Sequence, residues 1–178
     1  MYYIKRFILF INRLNNRIGT IFSIIIFPMF CILVYEVMMR YFFNRPTVWA
    51  QELSSLLYAI FFLIGGVYDM RWNDHIRVDI LYNKLSKRNK CILDLFTWIL
   101  FYLFVGIMFW EGSKFAYTAT MRMERSNTSW GPFIWPVKIF IPLSAFLMLL
   151  QGFAKTIKDV YFIFNGKKLI EDAEGEKK

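Results

Sequence analysis

Four long apolar runs constrain the fold of this chain more than any other feature of its sequence. They cover residues 18–39, 53–70, 91–110 and 132–153, and the first reads "IGTIFSIIIFPMFCILVYEVMM". A helix that crosses the hydrocarbon core of a bilayer, about 30 Å thick, needs about 20 mostly apolar residues. With 57% apolar and 20% aromatic residues, the chain is also too apolar for an ordinary soluble domain. We therefore predict an all-α integral membrane protein, a single membrane domain over residues 1–178 with four transmembrane helices.

The basic residues are distributed unevenly between the two sides of such a bundle. If the N-terminus is cytoplasmic, the outer side carries six of the 22 Lys and Arg residues, and the inner side carries sixteen. Because Lys and Arg are enriched in cytoplasmic loops, we predict that both termini are cytoplasmic. The net charge of +9 falls between the apolar runs and not on one folded face, so we expect no nucleic acid partner.

The segments outside the spans have distinct characters. Residues 1–17, "MYYIKRFILFINRLNNR", place Ile4, Phe7, Ile8 and Ile11 on one helical face, which predicts an interfacial amphipathic helix against membrane lipid. A second short amphipathic stretch is "RWNDHIRVDIL", residues 71–81. The polar C-terminal tail covers about 165–178, and its end, "EDAEGEKK", is predicted to be disordered. Within the spans, the pairs Ser54-Ser55 and Gly65-Gly66 are expected to allow close helix approach.

Catalytic chemistry has little support in the sequence. The only histidine is His75, and Cys31 and Cys91 form no CxxC pair. The ionisable residues of the spans lie near the span ends, where charges reach the interface, and not at mid-bilayer. We expect no catalytic residue, no metal and no cofactor in this chain. Two alternatives stay open: a small membrane enzyme or redox protein, for which these three residues form a poor set, and a self-assembling channel.

The outer connection after the first span is unusually rich in charges and rings. Glu36 and Arg40 are four residues apart on one helix face, Trp49 lies at the expected interface, and Glu52 begins the second span. Two interpretations are open for these side chains. They satisfy each other within the chain, or they line a seam with another chain.

Three segments follow one another along the chain: "EVMMRYFFNRP", "WAQELSSLLY" and "DHIRVDIL". Together they resemble the small membrane subunit of tripartite ATP-independent periplasmic (TRAP) transporters, the DctQ-like family. The resemblance rests on Arg40-Tyr41, Trp49, Glu52-Leu53, His75 and Val78-Asp79 in this order and spacing. It covers most of the chain, and the third and fourth spans agree only in number and placement.

The resemblance implies a non-enzymatic protein of a bacterial or archaeal cytoplasmic membrane. Such a subunit would scaffold a large, sodium-coupled elevator subunit, which takes up an organic acid delivered by a periplasmic binding protein. We expect residues of the subunit interface and structural motif to be Glu36, Arg40, Tyr41, Trp49, Glu52, His75 and Asp79. Candidates for docking the binding protein are Arg45, Arg122, Glu124 and Arg125.

Overall fold

A computed structural model describes residues 2–71 and 87–165, and these form five α-helices. The helices are α1 (Tyr2–Ser23), α2 (Ile26–Tyr41), α3 (Val48–Arg71), α4 (Lys87–Met121) and α5 (Trp135–Asn165). Four helical stretches are long and apolar enough to cross a membrane: Lys5–Tyr41, Val48–Met70, Thr97–Met121 and Trp135–Lys158. The prediction of an all-α protein with four membrane-spanning helices is confirmed.

The helices extend beyond the apolar runs that predicted them. The first run, residues 18–39, bridges the break between α1 and α2, and the fourth run begins three residues before α5. Together α1 and α2 make a stretch of 37 residues from Lys5 to Tyr41, which is about 55 Å of helix. Because the hydrocarbon core is only about 30 Å thick, an upright stretch of this length reaches well past it. Hydropathy locates the immersed part of a helix, and polar residues continue the same helix outside.

The break between α1 and α2 has a covalent cause. Pro28 has no N–H group, so the carbonyl of Ile24 has no donor four residues later. That carbonyl accepts instead from the N–H of Phe27 at 3.2 Å, and the N–H of Ile25 bonds three residues back to Phe22 at 3.1 Å. Bonds of this spacing tighten the backbone into a 3₁₀-like turn. The first span is therefore two helices joined by a turn.

Helix α5 lies at the centre of the described bundle and α2 at its edge. Helix α4 packs along α5, and α1 packs against both α3 and α5. The main packing contact of α2 is with α3 alone. A much larger share of the apolar part of α5 is buried than of the first span. Where α1 meets α5, Ile8 and Ile11 are buried with Ala154.

Close helix approach occurs at a different glycine from the expected pair. A Cβ added to Gly65 would meet nothing within 4 Å, and one on Gly66 would reach only Met148 at 3.5 Å. A Cβ on Gly19 would lie 2.9 Å from Cγ and 3.0 Å from Cβ of Tyr68. Gly19 thus lets α1 approach α3, whereas neither Gly65 nor Gly66 makes so close an approach within the described chain.

Candidate functional site

The carboxylate of Glu36 is well satisfied by hydrogen bonds at the end of the bundle that is predicted to face outward, called the outer end below. Its Oε1 accepts from Arg40 Nε at 3.1 Å and from Arg40 Nη2 at 2.7 Å. Its Oε2 accepts from the backbone N–H of Thr47 at 3.0 Å and from the Thr47 hydroxyl. The Glu36 side chain is 8% exposed and the Arg40 side chain 46% exposed. The predicted Glu36–Arg40 pair therefore exists within the chain, and a second element joins it.

The backbone between α2 and α3 brings Thr47 to Glu36. Asn44 has a φ of 50°, a left-handed conformation that asparagine tolerates better than most residues. The next N–H, from Arg45, donates to the Met39 carbonyl at 3.0 Å and closes the end of α2. The chain then reverses, and Thr47 stands directly before the first residue of α3. Glu36 consequently ties the last turns of α2 to the start of α3.

Two weaker contacts reinforce this hairpin. Arg40 Nη2 lies 3.4 Å from Oε1 of Gln51 in the first turn of α3. The rings of Tyr35 and Trp49 stand 5.6 Å apart between centroids, in a tilted arrangement. Trp49 is still 38% exposed, and Tyr41 is 77% exposed. Of the predicted motif residues in this region, Glu36 and Arg40 are thus hydrogen-bonded within the hairpin, and Trp49 packs beside Tyr35. The side chain of Tyr41 is exposed.

The connection between α4 and α5, residues 122–134, forms a second ordered outer segment. An isolated antiparallel bridge joins Arg125 to Phe133, and the Arg125 guanidinium lies 4.2 Å from the centre of the Phe133 ring. Lys138 Nζ donates to Oε2 of Glu124 at 2.6 Å and sits 4.0 Å from the centre of the Phe115 ring. Glu124, a candidate for docking another protein, is therefore bonded within its own chain.

One side-chain hydrogen bond connects the two outer segments. Oε2 of Glu52, in the second turn of α3, accepts from the hydroxyl of Thr128 at 2.5 Å. The same hydroxyl oxygen accepts from the N–H of Gly131 at 3.3 Å, where a φ of 59° reverses the loop. Glu52 was predicted to begin the second span, and the structure gives it a partner 76 residues away.

The remaining candidates differ in their surroundings. Arg45 and Arg122 are exposed, as is Arg125 beside its aromatic neighbour. His75 and Asp79, the candidates on the inner side, lie outside the described residues. In the ranges 2–71 and 87–165, no group of three or more His, Cys, Asp or Glu residues could hold a metal ion.

A set of hydrogen-bonded side-chain amides near the opposite end of the bundle was not predicted from the sequence. Asn15 Nδ2 donates to Gln151 Oε1 at 2.7 Å, and Gln151 Nε2 donates to Asn12 Oδ1 at 3.1 Å. Asn15 is 1% exposed and Gln151 4% exposed. Polar side chains at membrane helix contacts hydrogen-bond across helices. The sequence feature that could have indicated these hydrogen-bonded amides is Gln151, an uncharged polar residue inside the apolar segment "LMLLQGF".

Comparisons with known proteins agree with this architecture. The family model described as the DctQ component of tripartite ATP-independent periplasmic transporters matches residues 29–161. The small permease protein DctQ of a C4-dicarboxylate TRAP transporter from Rhodobacter capsulatus is 30% identical over 115 residues, 61% of this chain and 50% of that protein.

Two further relatives come from sialic acid TRAP transporters. The permease protein SiaT of Haemophilus influenzae is 28% identical over 112 residues, 60% of this chain and 18% of that protein. The small permease protein SiaQ of Vibrio cholerae is 22% identical over 86 residues, 48% of this chain and 50% of that protein. The matched part spans about half the length of the two small permease proteins and under a fifth of SiaT.

The family model covers well over half of the chain and includes α3, α4 and most of α2 and α5. The resemblance drawn from residues 36–81 is confirmed, and the relatives are components of transporters and not enzymes. This chain is an inner-membrane protein that belongs to the DctQ component family of TRAP transporters.

Proposed function

We propose that the chain is the small permease subunit of a TRAP transporter and acts as a fixed membrane scaffold for a large multi-span permease subunit. Family membership supports the subunit assignment. In this proposal, a periplasmic binding protein delivers an organic acid, and sodium coupling belongs to the large subunit. The names of the relatives, for C4-dicarboxylates and sialic acid, suggest a dicarboxylate or a sugar acid as the substrate.

The observation that carries the scaffold role is that the polar side chains at the outer end form their hydrogen bonds within the chain itself. Glu36 accepts four hydrogen bonds from Arg40 and Thr47, and Glu124 is paired with Lys138. A transport path requires polar or ionisable groups that face a cavity and exchange partners as the substrate passes. These groups instead hold the connections of their own chain, which favours a rigid reference over a moving carrier.

The edge position of α2 supports a lateral contact with the large subunit. Its exposed side chains include Phe27 at 71%, Phe30 at 64% and Tyr41 at 77%. Within a bilayer, helix association depends on van der Waals packing and on interhelical polar contacts. We assign the outer part of this seam to α2 and the half-exposed Arg40, together with Tyr41 and Trp49. His75 and Asp79 stay predicted for the inner part of the seam.

The docking surface for the binding protein is narrower than the four candidates from sequence. The carboxylate of Glu124 is engaged by Lys138, and Arg125 lies over the Phe133 ring. The exposed Arg45 and Arg122 are therefore the better candidates on the two outer connections. Their positive charges would suit an acidic surface on the binding protein.

The test uses the complete three-part system. We would tag the chain, co-express it with its large subunit and binding protein, and measure both co-purification in detergent and sodium-dependent uptake of labelled succinate and sialic acid. Arg40→Glu and, on the inner side, Asp79→Lys should each reduce recovery of the large subunit and uptake. Lys114→Glu, at a 59% exposed outer site of α4, is the matched control for Arg40→Glu.

Each result bears on a different part of the proposal. Size-exclusion profiles of the variants separate loss of partner binding from loss of folding. Recovery of a homo-oligomer without the large subunit would favour the self-assembling channel. If uptake is unchanged when this chain is deleted, the proposed role is wrong.

A further inference from the structure

Helix α1 has three different faces along its N-terminal two-thirds. Ile8, Ile11 and Asn15 are at most 1% exposed and face α3 and α5. At 100° per residue, Phe7 and Phe10 project about 70° and about 130° away from the middle of that face, and both are exposed. A helix that needed only to pack on the bundle would require one apolar face. Helix α1 has a second one that the bundle leaves uncovered.

Three arginines form the face opposite the bundle. Arg6, Arg13 and Arg17 are separated by seven and four residues, which places them within about 40° of one another around the helix. All three are exposed, and none forms an ion pair with a side chain in the described ranges. This arginine stripe runs for about 16 Å along α1. Among the described residues, it is a concentrated positive charge without a carboxylate partner, and it lies beside exposed phenyl rings.

The contacts of α1 fix the depth of the stripe in the membrane. Ile8 and Ile11 pack with Ala154, Ile157 and Tyr161 of α5. These α5 residues follow the apolar run that ends at residue 153, so they lie where the fourth span leaves the hydrocarbon core. On the face of α1 turned away from the bundle, Arg6 and Arg13 flank the level of these contacts, and Arg17 lies up to one turn deeper, just past the Asn15–Gln151 bond. With the predicted orientation, that level is the headgroup region of the inner leaflet.

We propose that the arginine stripe of α1 binds the headgroups of anionic phospholipids in the inner leaflet, while Phe7 and Phe10 insert among the acyl chains. Guanidinium groups form paired hydrogen bonds with phosphate oxygens, which suits arginine to this contact better than lysine. Where a helix passes through the headgroup region, its arginine side chains can reach the headgroups while neighbouring apolar side chains contact the tails. The inference rests on the predicted orientation and not on the transported substrate.

The lipid contact gives α1 a positioning role. Bound headgroups on one side and the Ile8–Ala154 contact on the other would fix the depth of the N-terminal part of α1 in the bilayer. The hydrogen bond between the buried amides of Asn15 and Gln151 fixes the position of α1 along α5. Anionic lipid should therefore stabilise the folded chain more than zwitterionic lipid does.

Native mass spectrometry of the purified full chain tests the proposal. The chain in detergent is titrated with phosphatidylglycerol or with phosphatidylcholine, and the bound lipids are counted. We expect a preference for phosphatidylglycerol, which Arg13→Gln lowers about fivefold. The triple variant of Arg6, Arg13 and Arg17 to Gln should lower it about a hundredfold if the contributions add. Lys5→Gln is the matched control, because it removes one positive charge from the same helix about 100° away from the stripe.

The outcomes separate a specific lipid site from general charge attraction and from a protein-binding surface. Thermal unfolding with and without phosphatidylglycerol confirms that each variant is folded, and the stabilisation by this lipid should vanish in the triple variant. Equal losses for Arg13→Gln and Lys5→Gln would overturn the proposal, as would equal binding of the two lipids. A triple variant that keeps phosphatidylglycerol but loses a co-purifying protein would assign the stripe to a protein partner and also overturn it.

Discussion

At the scale of single residues, Glu36 decides the geometry of the outer hairpin. Glutamine at this position has the same size, but it has one hydrogen-bond-accepting oxygen where glutamate has two. It also brings an N–H₂ group toward the guanidinium of Arg40. A nearly buried acceptor that loses its charge leaves its donors poorly satisfied. We therefore expect Glu36→Gln to lower the midpoint of thermal unfolding in detergent.

The control for this substitution is another outer glutamate. Glu111 also pairs with a lysine, Lys114, at 2.8 Å, but its side chain is 61% exposed. Exposed pairs of this kind contribute little to stability, so Glu111→Gln should leave the midpoint almost unchanged. Equal shifts for the two variants would mean that the Glu36 contacts are no stronger than a surface ion pair.

The residue contacts also show which part of this site sequence could supply. The spacing of Glu36 and Arg40 predicts their pairing, because residues four apart share a helix face. Nothing local predicts Thr47 as a partner of Glu36 or Thr128 as a partner of Glu52. Those contacts depend on how a hairpin reverses and how a distant loop folds. The candidate residues of this hairpin were indicated by charge, spacing and family resemblance, and their partners required tertiary structure.

At the scale of helices, the packing of α1 on α3 depends on Gly19. Alanine would raise intrinsic helix propensity by up to about 1 kcal/mol. Its methyl group would, however, fall 2.9 Å from Cγ and 3.0 Å from Cβ of Tyr68, atoms too close to the backbone to swing aside. Overpacking of this type costs about 1–3 kcal/mol. We expect Gly19→Ala to destabilise the chain in thermal unfolding followed by helical circular dichroism.

Gly65 provides the comparison within the same pair of helices. It lies in α3, and an added Cβ there meets nothing within 4 Å. Gly65→Ala should therefore leave the unfolding midpoint unchanged or raise it slightly. If Gly19→Ala is as harmless as Gly65→Ala, α1 does not pack on α3 as closely as the structure describes.

Helix number and helix bounds differ in how far sequence determines them. Apolar length identifies four spans because the bilayer requires it. It does not report where α4 ends, since "EGSKFAYTATM" continues the helix in a more polar environment. It also cannot tell which glycine faces a neighbour. The break near Ile24 was signalled by Pro28, whose missing N–H acts on the residue four positions earlier.

At the scale of the whole molecule, the two sets of functional contacts lie at opposite ends of the bundle. Helix α5 has 31 residues and is about 45 Å long. The loop over residues 122–134 precedes its first residue, whereas the α1 contact with Ala154 lies near its last turns. The outer hairpin, tied to Thr128, and the arginine stripe must therefore face opposite sides of the membrane.

This separation makes the predicted orientation testable with two cysteines. In a background with Cys31→Ser and Cys91→Ser, Asn127→Cys lies in the exposed loop and Lys5→Cys lies on exposed α1. The excess of basic residues on the inner side predicts that a membrane-impermeant maleimide labels Asn127→Cys in intact spheroplasts. Lys5→Cys should react only after permeabilisation. The reverse pattern would place Arg45 and Arg122 in the cytoplasm, where no periplasmic protein could reach them, and would move the arginine stripe to the outer leaflet.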